Sequence, residues 1–405
     1  MDMKSFLWRR GIFILLGVAI IIYFPAFSRH PDGMTLYPQA AECLLKGKAI
    51  KECAPAFTYP PVFAFFMIPF VYLPMLVKNL LWYAILLGST LLSFNICKRL
   101  VLETFPRKLS DREIRWIGWI GLALSLKFIF SVFENQAYDG IVFLCLLIGL
   151  EGELKGKNLR ACAGFALAAA LKATPLLFFP YLLLRRQWLI FCGCVALYLG
   201  FSFLPDIFFT PHGTSTGYFG TWLQDIAGGA AKSATLGSQG LWFEGSGNLN
   251  QSLRFLVYRI VETWGNPSEF SVILKAVYIA FLAFMAIFLI RSSRMRAPLA
   301  LDASLLVIGM LMLSPMSSKS HFVVLMLPYI VLSAYAIGEP RVRKLGIVIL
   351  GASYILNSLT SKDLVGRKLG EGLLSAGCIT IGTLVLLVFL AYIVFTRNVQ
   401  EELKT

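Results

Sequence analysis

The stretch Ser28–Ile50 reads SRHPDGMTLYPQAAECLLKGKAI. Asp32 and Gly33 make a turn, Pro38 can open a short helix, and Gly47 can end it. A carboxylate held beside such an element can take a proton from a bound hydroxyl. The plainer reading is a solvated turn aspartate. Lys172, in LKATPLLFFP (Leu171–Pro180), falls between two apolar runs. Its ammonium either binds an oxyanion or snorkels to an interface. In LSPMSSKSHF (Leu313–Phe322), Lys319 and His321 offer charge and hydrogen bonds to a phosphate, or simply form a polar turn between helices. Asn250, Gln251 and Arg254 open a stretch of helical periodicity. Amides suit sugar hydroxyls, and a helix start offers N–H groups to an anion; a lipid anchor is the alternative. Trp242, Phe243 and Trp264 nearby suit stacking on a pyranose or contact with lipid. In SVFENQAYDG (Ser131–Gly140), Glu134, Asn135, Gln136 and Asp139 break two apolar runs, as a polar pocket or a helix cap. His30, His212 and His321 are the only histidines, too few and dispersed for a metal site. No metal and no cofactor is expected.

These residues must be positioned by a membrane. The chain has 405 residues, 58% of them hydrophobic and 15% charged, with a mean hydropathy of +0.73. Soluble domains lie outside that range. Apolar runs recur at 11–27, 61–76, 79–96, 115–133, 137–150, 159–173, 174–184, 187–205, 270–290, 298–314, 321–337, 343–358 and 372–396. They are continuously apolar rather than alternating, so a transmembrane β-barrel is excluded. The expectation is an all-α polytopic membrane protein, with about twelve transmembrane helices plus re-entrant or interfacial ones. It forms one domain over 1–405, with long outer connections at 28–58 and 206–268. The net charge of +15 comes from Lys and Arg flanking the runs, where they set orientation and meet anionic lipid. No nucleic-acid partner is expected.

The basic clusters place themselves in the cytoplasm: Lys98 to Arg115, Lys155/Lys157/Arg160, Arg185/Arg186, and Arg341/Arg343/Lys344 among others. Parity then turns on FTYPPVFAFFMIPFVYLP (Phe57–Pro74). Four prolines disturb this run, and irregular backbone at depth survives only against protein or a cavity. It reads as re-entrant or surface-lying; the competing topology has it cross and treats 159–184 as one span, and both leave 28–58, 206–268 and His321 on the outer side. Cys43 and Cys53 share the first outer loop and can form a disulfide there. After Asn248, Leu249, Leu253, Leu256, Ile260 and Trp264 recur as one face of an amphipathic interfacial helix. No Walker-type or G-x-G-x-x-G motif is present. A transferase working outside the cytoplasm has no nucleotide sugars, so a lipid-carried donor is the sensible one.

The ordered set of features resembles glycosyltransferase family 87, the GT-C-fold enzymes related to polyprenol-phosphate-mannose-dependent α-mannosyltransferases. The resemblance rests on Asp32 soon after the first span, then Tyr37, Ala40 and Ala41, then Tyr59-Pro60-Pro61. Gln136, Lys172-Ala173-Thr174-Pro175, Asn250-Gln251-Ser252, and Leu313-Ser314-Pro315 ahead of His321 complete it. Asn135 replaces a frequent Gly, and Met316-Ser317-Ser318-Lys319-Ser320 replaces a stretch that often carries an aromatic and paired histidines. The resemblance implies a hexosyltransferase, mannose favoured, that uses a polyprenyl-phosphate sugar and inverts at the anomeric carbon. The acceptor is a glycan or glycolipid hydroxyl of the cell envelope. It implies Asp32 as general base. Lys172, Lys319, His321 and Arg254 hold the donor phosphate, and Tyr37, Tyr59, Gln136, Asn250 and Gln251 touch sugar or acceptor. The setting is a bacterial cytoplasmic membrane with the site on the extracytoplasmic face. A secondary transporter or a non-catalytic lipid-binding protein are the other classes; a transporter should show paired broken helices in related halves, and no such symmetry is visible.

Overall fold

The computed structural model describes residues 23–29, 31–212, 216–232, 249–264, 269–295 and 298–396. Every regular element among them is a helix. Among the described residues, six helices are long and apolar enough to cross a membrane: 75–104, 111–134, 188–208, 270–292, 319–338 and 378–396. Shorter apolar helices at 158–171, 174–184 and 299–313 fill the space between them. The fold is that of an all-α polytopic membrane protein. Trp188–Phe208 and Phe270–Ser292 expose Leu189, Phe203, Val272 and Ile279, the apolar surface that a bilayer would cover.

The proline-rich segment does not form a continuous span. Pro61–Phe66 and Ile68–Val71 are separate short helices, and Met75–Thr104 starts directly after Pro74. Pro61 and Pro69 sit in the first turn of their helices and Pro74 is the N-cap residue of the next. Proline is tolerated at those positions because the missing N–H would be unsatisfied anyway. Eleven residues from Pro61 to Val71 rise about 16 Å, roughly half the hydrocarbon core.

Two other expectations are revised. The apolar run 372–396 is broken at Gly377 (φ +75°), leaving Arg367–Ser375 and Cys378–Thr396. The connection 206–268 carries a helix, Tyr218–Lys232, ahead of the amphipathic one at Leu253–Trp264. Asp206 accepts from the N–H groups of Tyr218 and Phe219, satisfying donors that a helix start leaves open.

The two ends of the bundle differ. At one end, Glu151 is buried under Arg99, Lys155 and Arg160, Arg185 pairs with buried Asp302, and Arg107 bonds Glu113 and the carbonyl of Gly338. At the other, Asp32–Leu45 and Ile50–Cys53 fold over the helix ends, joined by a disulfide between Cys43 and Cys53. That end holds Asp32, Gln136, Asp139, Lys172 and His321.

Asp139–Leu154 and Asn158–Leu171 form a tight helical hairpin. Small residues allow it: a Cβ on Gly164 would sit 2.7 Å from the carbonyl oxygen of Cys145, and one on Gly152 would sit 2.5 Å from the backbone N of Ala161. The hairpin brings the start of its first helix beside the end of its second.

Candidate active site

That juxtaposition makes the site. Asp139 opens the first helix of the hairpin and Lys172 is the residue after the second. Lys172 Nζ donates to Asp139 Oδ1 at 2.6 Å. The neighbouring pair repeats the clasp, with Tyr138 Oη donating to the carbonyl of Leu171 at 3.2 Å. Asp139 is 5% exposed, and a carboxylate is stable at such depth only when paired.

His321 comes from the 3-10 turn Lys319–Leu325. Its Nδ1 accepts from the Ser318 N–H at 3.3 Å, so in the neutral ring Nε2 carries the proton. Nε2 lies 3.8 Å from Asp139 Oδ1. Asp139, Lys172, Thr174, Ser314, Ser317 and His321 supply the polar lining of one cavity, with Val142, Met310, Leu311 and Val324 closing it. An ammonium and an imidazole N–H in an otherwise apolar wall suit a small oxyanion; the Ser314 and Ser317 hydroxyls already donate to the carbonyls of Met316 and Leu311.

Asn250, Gln251 and Ser252 do not line this cavity; they hold its rim. Asn250 Nδ2 donates to the carbonyl of Pro315 at 3.1 Å, and Asn250 Oδ1 accepts from the N–H groups of Ser252 and Ser317. The Gln251 N–H donates to the carbonyl of Ser317 at 2.7 Å, and Gln251 Nε2 donates to that of Leu374 at 2.9 Å. The three residues therefore fasten the 314–318 turn to Leu253–Trp264 and the C-terminal helices.

Gln136 is likewise occupied within the protein. It is completely buried, at φ +48°, a left-handed conformation that costs a non-glycine residue on the order of 1–2 kcal/mol. Its Oε1 accepts from the Met34 N–H at 2.9 Å, while Nε2 donates to the Phe27 carbonyl and to Asn79 Oδ1, both at 3.2 Å. Its own carbonyl accepts from Trp82 Nε1 and Tyr37 Oη. A side chain so engaged offers its amide to no sugar. It instead fixes Asp32–Leu45 against the loop before Asp139. Gly33 makes that approach possible, since a Cβ there would lie 2.8 Å from Gln136 Cβ.

Asp32 is exposed in the first turn of its helix. Gly33 touches Gln136, three residues before Asp139, so Asp32, Lys172 and His321 share one end of the bundle. Tyr37 is buried and Tyr59 half-buried, with ring centroids 5.8 Å apart. Tyr59 packs edge-on to Tyr138 at 4.7 Å, and Phe63 stacks on Tyr138 at 4.3 Å. The proline-rich segment thus walls the residue next to Asp139. Burial, with the Asp139 charge adding to it, pushes the Tyr59 hydroxyl up to about 12, so it stays a neutral donor.

Two expected phosphate ligands fall elsewhere. Arg254 is buried against Phe270, 5.8 Å from the ring centroid, and burial lowers its guanidinium to about 10. Lys319 is not among the residues lining the cavity and interacts electrostatically with Glu134, Lys362 and Asp363. Trp242, Phe243 and His30 lie outside the described residues, as does the Trp264 side chain. Among the described residues no three His, Cys, Asp or Glu side chains form a metal-binding group. Asp139 is the residue whose part sequence reasoning missed. Its signal was positional: an acid opening one helix and a lysine closing the next, across a short turn.

The protein is all-helical, with an apolar outer surface, and one end of its bundle holds a cavity lined by the Lys172–Asp139 ion pair, the His321 imidazole and hydroxyls. The model of glycosyltransferase family 87 matches residues 57–315, and the chain belongs to that family. The match takes in Tyr59, Asp139, Lys172 and the Asn250–Ser252 clasp, while Asp32 and His321 fall outside it. No curated protein and no solved structure matches the chain.

Proposed function

We propose that this membrane glycosyltransferase moves a hexose, mannose by preference, from a polyprenyl-phosphate sugar to a hydroxyl of a glycan or glycolipid acceptor, with inversion. One observation carries this reading: Asp139, Lys172 and His321, from three distant segments, line a single cavity. In the proposed step the acceptor oxygen attacks the anomeric carbon as its proton passes to Asp32. The bond from that carbon to the phosphate oxygen breaks, and the lipid phosphate leaves with the electron pair. The diester carries one negative charge and the departing monoester more, so a cation at the phosphate favours the transition state over the ground state. Lys172 has three N–H donors; Asp139 takes one, which leaves donors for phosphate oxygens. His321 Nε2–H adds to that cradle, while the Ser314 and Ser317 hydroxyls donate to the carbonyls of Met316 and Leu311 and hold the turn beside it. Asp139 acts as a positioning residue. Tyr59 is the best placed of the aromatic hydroxyls for sugar, being half-buried and neutral. The Cys43–Cys53 disulfide at the same end supports an oxidising, extracytoplasmic side for the site, and the cationic opposite end suits a bacterial cytoplasm.

The test uses purified full-length protein with radiolabelled polyprenyl-phosphate mannose, glucose or galactose and an envelope-lipid acceptor. Release of lipid phosphate that depends on acceptor supports the proposal. Asp32→Asn should cut turnover by about 10²–10⁴-fold while the protein still inserts and folds. Full turnover in that variant removes Asp32 from the role of base, and movement of sugar without bond cleavage ends the transferase reading.

A further inference from the structure

A second cavity lies on the lipid-facing side, toward the basic end. Helices Asp111–Glu134, Met326–Gly338 and Arg343–Ser358 leave an apolar groove with about 800 Å³ of empty volume, its open side included. Leu124, Ile347, Leu350 and Tyr354 form much of its wall. It contains two polar features. Arg343 stands at its mouth, on the first residue of its helix. Ser333 lies within it, 1% exposed, and its Oγ has no hydrogen-bond partner. A helical serine ordinarily satisfies its hydroxyl on a preceding carbonyl, and a buried hydroxyl left unpaired calls for an explanation.

We infer that this groove binds one anionic glycerophospholipid from the leaflet at the basic end of the bundle. Three features of such a lipid match three features of the groove. The phosphate matches Arg343, which spends one N–H on the carbonyl of Ile337 at 3.1 Å out of the five that a guanidinium carries. Arg341 and Lys344 are exposed beside it, so the mouth is strongly cationic, the arrangement that attracts anionic headgroups. The ester carbonyl matches Ser333. That residue lies five positions before the end of its helix, about 7 Å in from the mouth, the depth at which a glycerol ester follows its phosphate. The acyl chain matches the apolar wall from Arg343 to Tyr354, eleven residue steps or about 16 Å, which is roughly one leaflet of a 30 Å hydrocarbon core. An isoprenyl phosphate has no ester carbonyl and leaves Ser333 unsatisfied. The inference is independent of the sugar-transfer reading.

Gly351 provides the test. It lines the groove, and a Cβ added there meets nothing within 4 Å. Gly351→Leu therefore starts its side chain in open space within the chain path, and it exchanges glycine for a good helix former. Full-length protein would be exchanged into lipid-free detergent and mixed with dioleoyl phosphatidylglycerol, dioleoyl phosphatidylcholine or undecaprenyl phosphate, and bound lipid counted by native mass spectrometry. One phosphatidylglycerol per chain is expected, retained at least tenfold more strongly than phosphatidylcholine. Excluding several methylenes with Gly351→Leu should weaken it by about tenfold or more. Arg343→Gln should erase the preference for the anionic lipid. Ser333→Ala should weaken phosphatidylglycerol by about fivefold, the worth of one hydrogen bond, without affecting undecaprenyl phosphate. Equal retention of the two diacyl lipids, or retention untouched by Gly351→Leu, overturns the inference. So does tighter binding of undecaprenyl phosphate that ignores Ser333→Ala.

Discussion

Replacing Asp139 by Asn removes one charge and almost no volume, which isolates the ion pair on which the site is built. At the observed 2.6 Å, two unit charges attract by about 6 kcal/mol at an effective dielectric near 20. Desolvation of both groups offsets much of that, and breaking one side of a buried pair typically costs about 3–5 kcal/mol. The two partners are not equally buried: the Lys172 side chain is 16% exposed and that of Asp139 only 6%. Lys172 can turn its orphaned ammonium toward the cavity, so Asp139→Asn should fall near the lower end, about 3 kcal/mol. Lys172→Met strands the deeper carboxylate and should lie near the upper end, about 5 kcal/mol. The double variant strands neither charge and should come back to within about 2 kcal/mol of wild type, as buried pairs replaced by apolar groups often do. Unfolding of the four proteins in mixed micelles gives the cycle, and labelled-sugar transfer is measured on the same preparations. The expected signature is a double variant that is stable but loses transfer by about 10²–10³-fold, the effect of removing one group that stabilises developing charge. Additive stabilities, with coupling below about 0.5 kcal/mol, would show that the pair does not hold the hairpin ends. Undiminished transfer by Lys172→Met would remove Lys172 from the phosphate.

Cys43→Ser with Cys53→Ser opens a loop of ten residues' separation. It should cost about 3 kcal/mol and expose 46–60 to protease, read as new cleavage of the intact protein in micelles; unchanged protection would show that packing alone holds the segment. Gly164→Val places a branched side chain where even a Cβ would lie 2.7 Å from the Cys145 carbonyl oxygen. The hairpin must spread, so apparent melting temperature and transfer should fall together, whereas Gly200→Val, whose Cβ has open space, should leave both unchanged. Gln136→Ala removes three side-chain bonds and should destabilise by about 2–4 kcal/mol, while the KM for sugar donor in the folded fraction stays close to wild type. A selective rise in KM would return Gln136 to the sugar.

The fold was legible wherever one physical signal dominated. Continuous apolar runs gave the long helices at 75–104, 111–134 and 270–292 because only helices satisfy backbone groups in lipid. The prolines from Pro60 to Pro74 marked a segment without one continuous helix, and each of three proved to begin a helix. The Gly377 break was missed because one glycine within a long apolar run is usually absorbed, although a glycine just past Ser375 and Ala376 fits a helix C-terminus. Helix 218–232 carries three glycines, which hide the apolar face that Phe219, Trp222, Leu223 and Ile226 make at helical spacing, and what fixes its start is Asp206, twelve residues earlier.

The candidate site was legible by residue type and opaque by partner. Amides at Gln136, Asn250 and Gln251 announce hydrogen bonds, but type alone does not say whether a sugar or a carbonyl receives them; all three are completely buried and fasten protein to protein. Lys172 was recognisable as a cation at a break between helices. Its pairing with Asp139 depends on the register of two helices of 16 and 14 residues around a short turn, and that register is set by the close approach of Gly152 and Gly164 to the facing backbone. An insertion of one residue in either helix would rotate one partner by about 100° about its axis and separate the charges. The pair is therefore a property of hairpin length and glycine spacing, neither of which resembles a catalytic motif, and this is why a residue as buried and as charged as Asp139 could be read from sequence only as one of four polar residues in a pocket or a cap, without its partner.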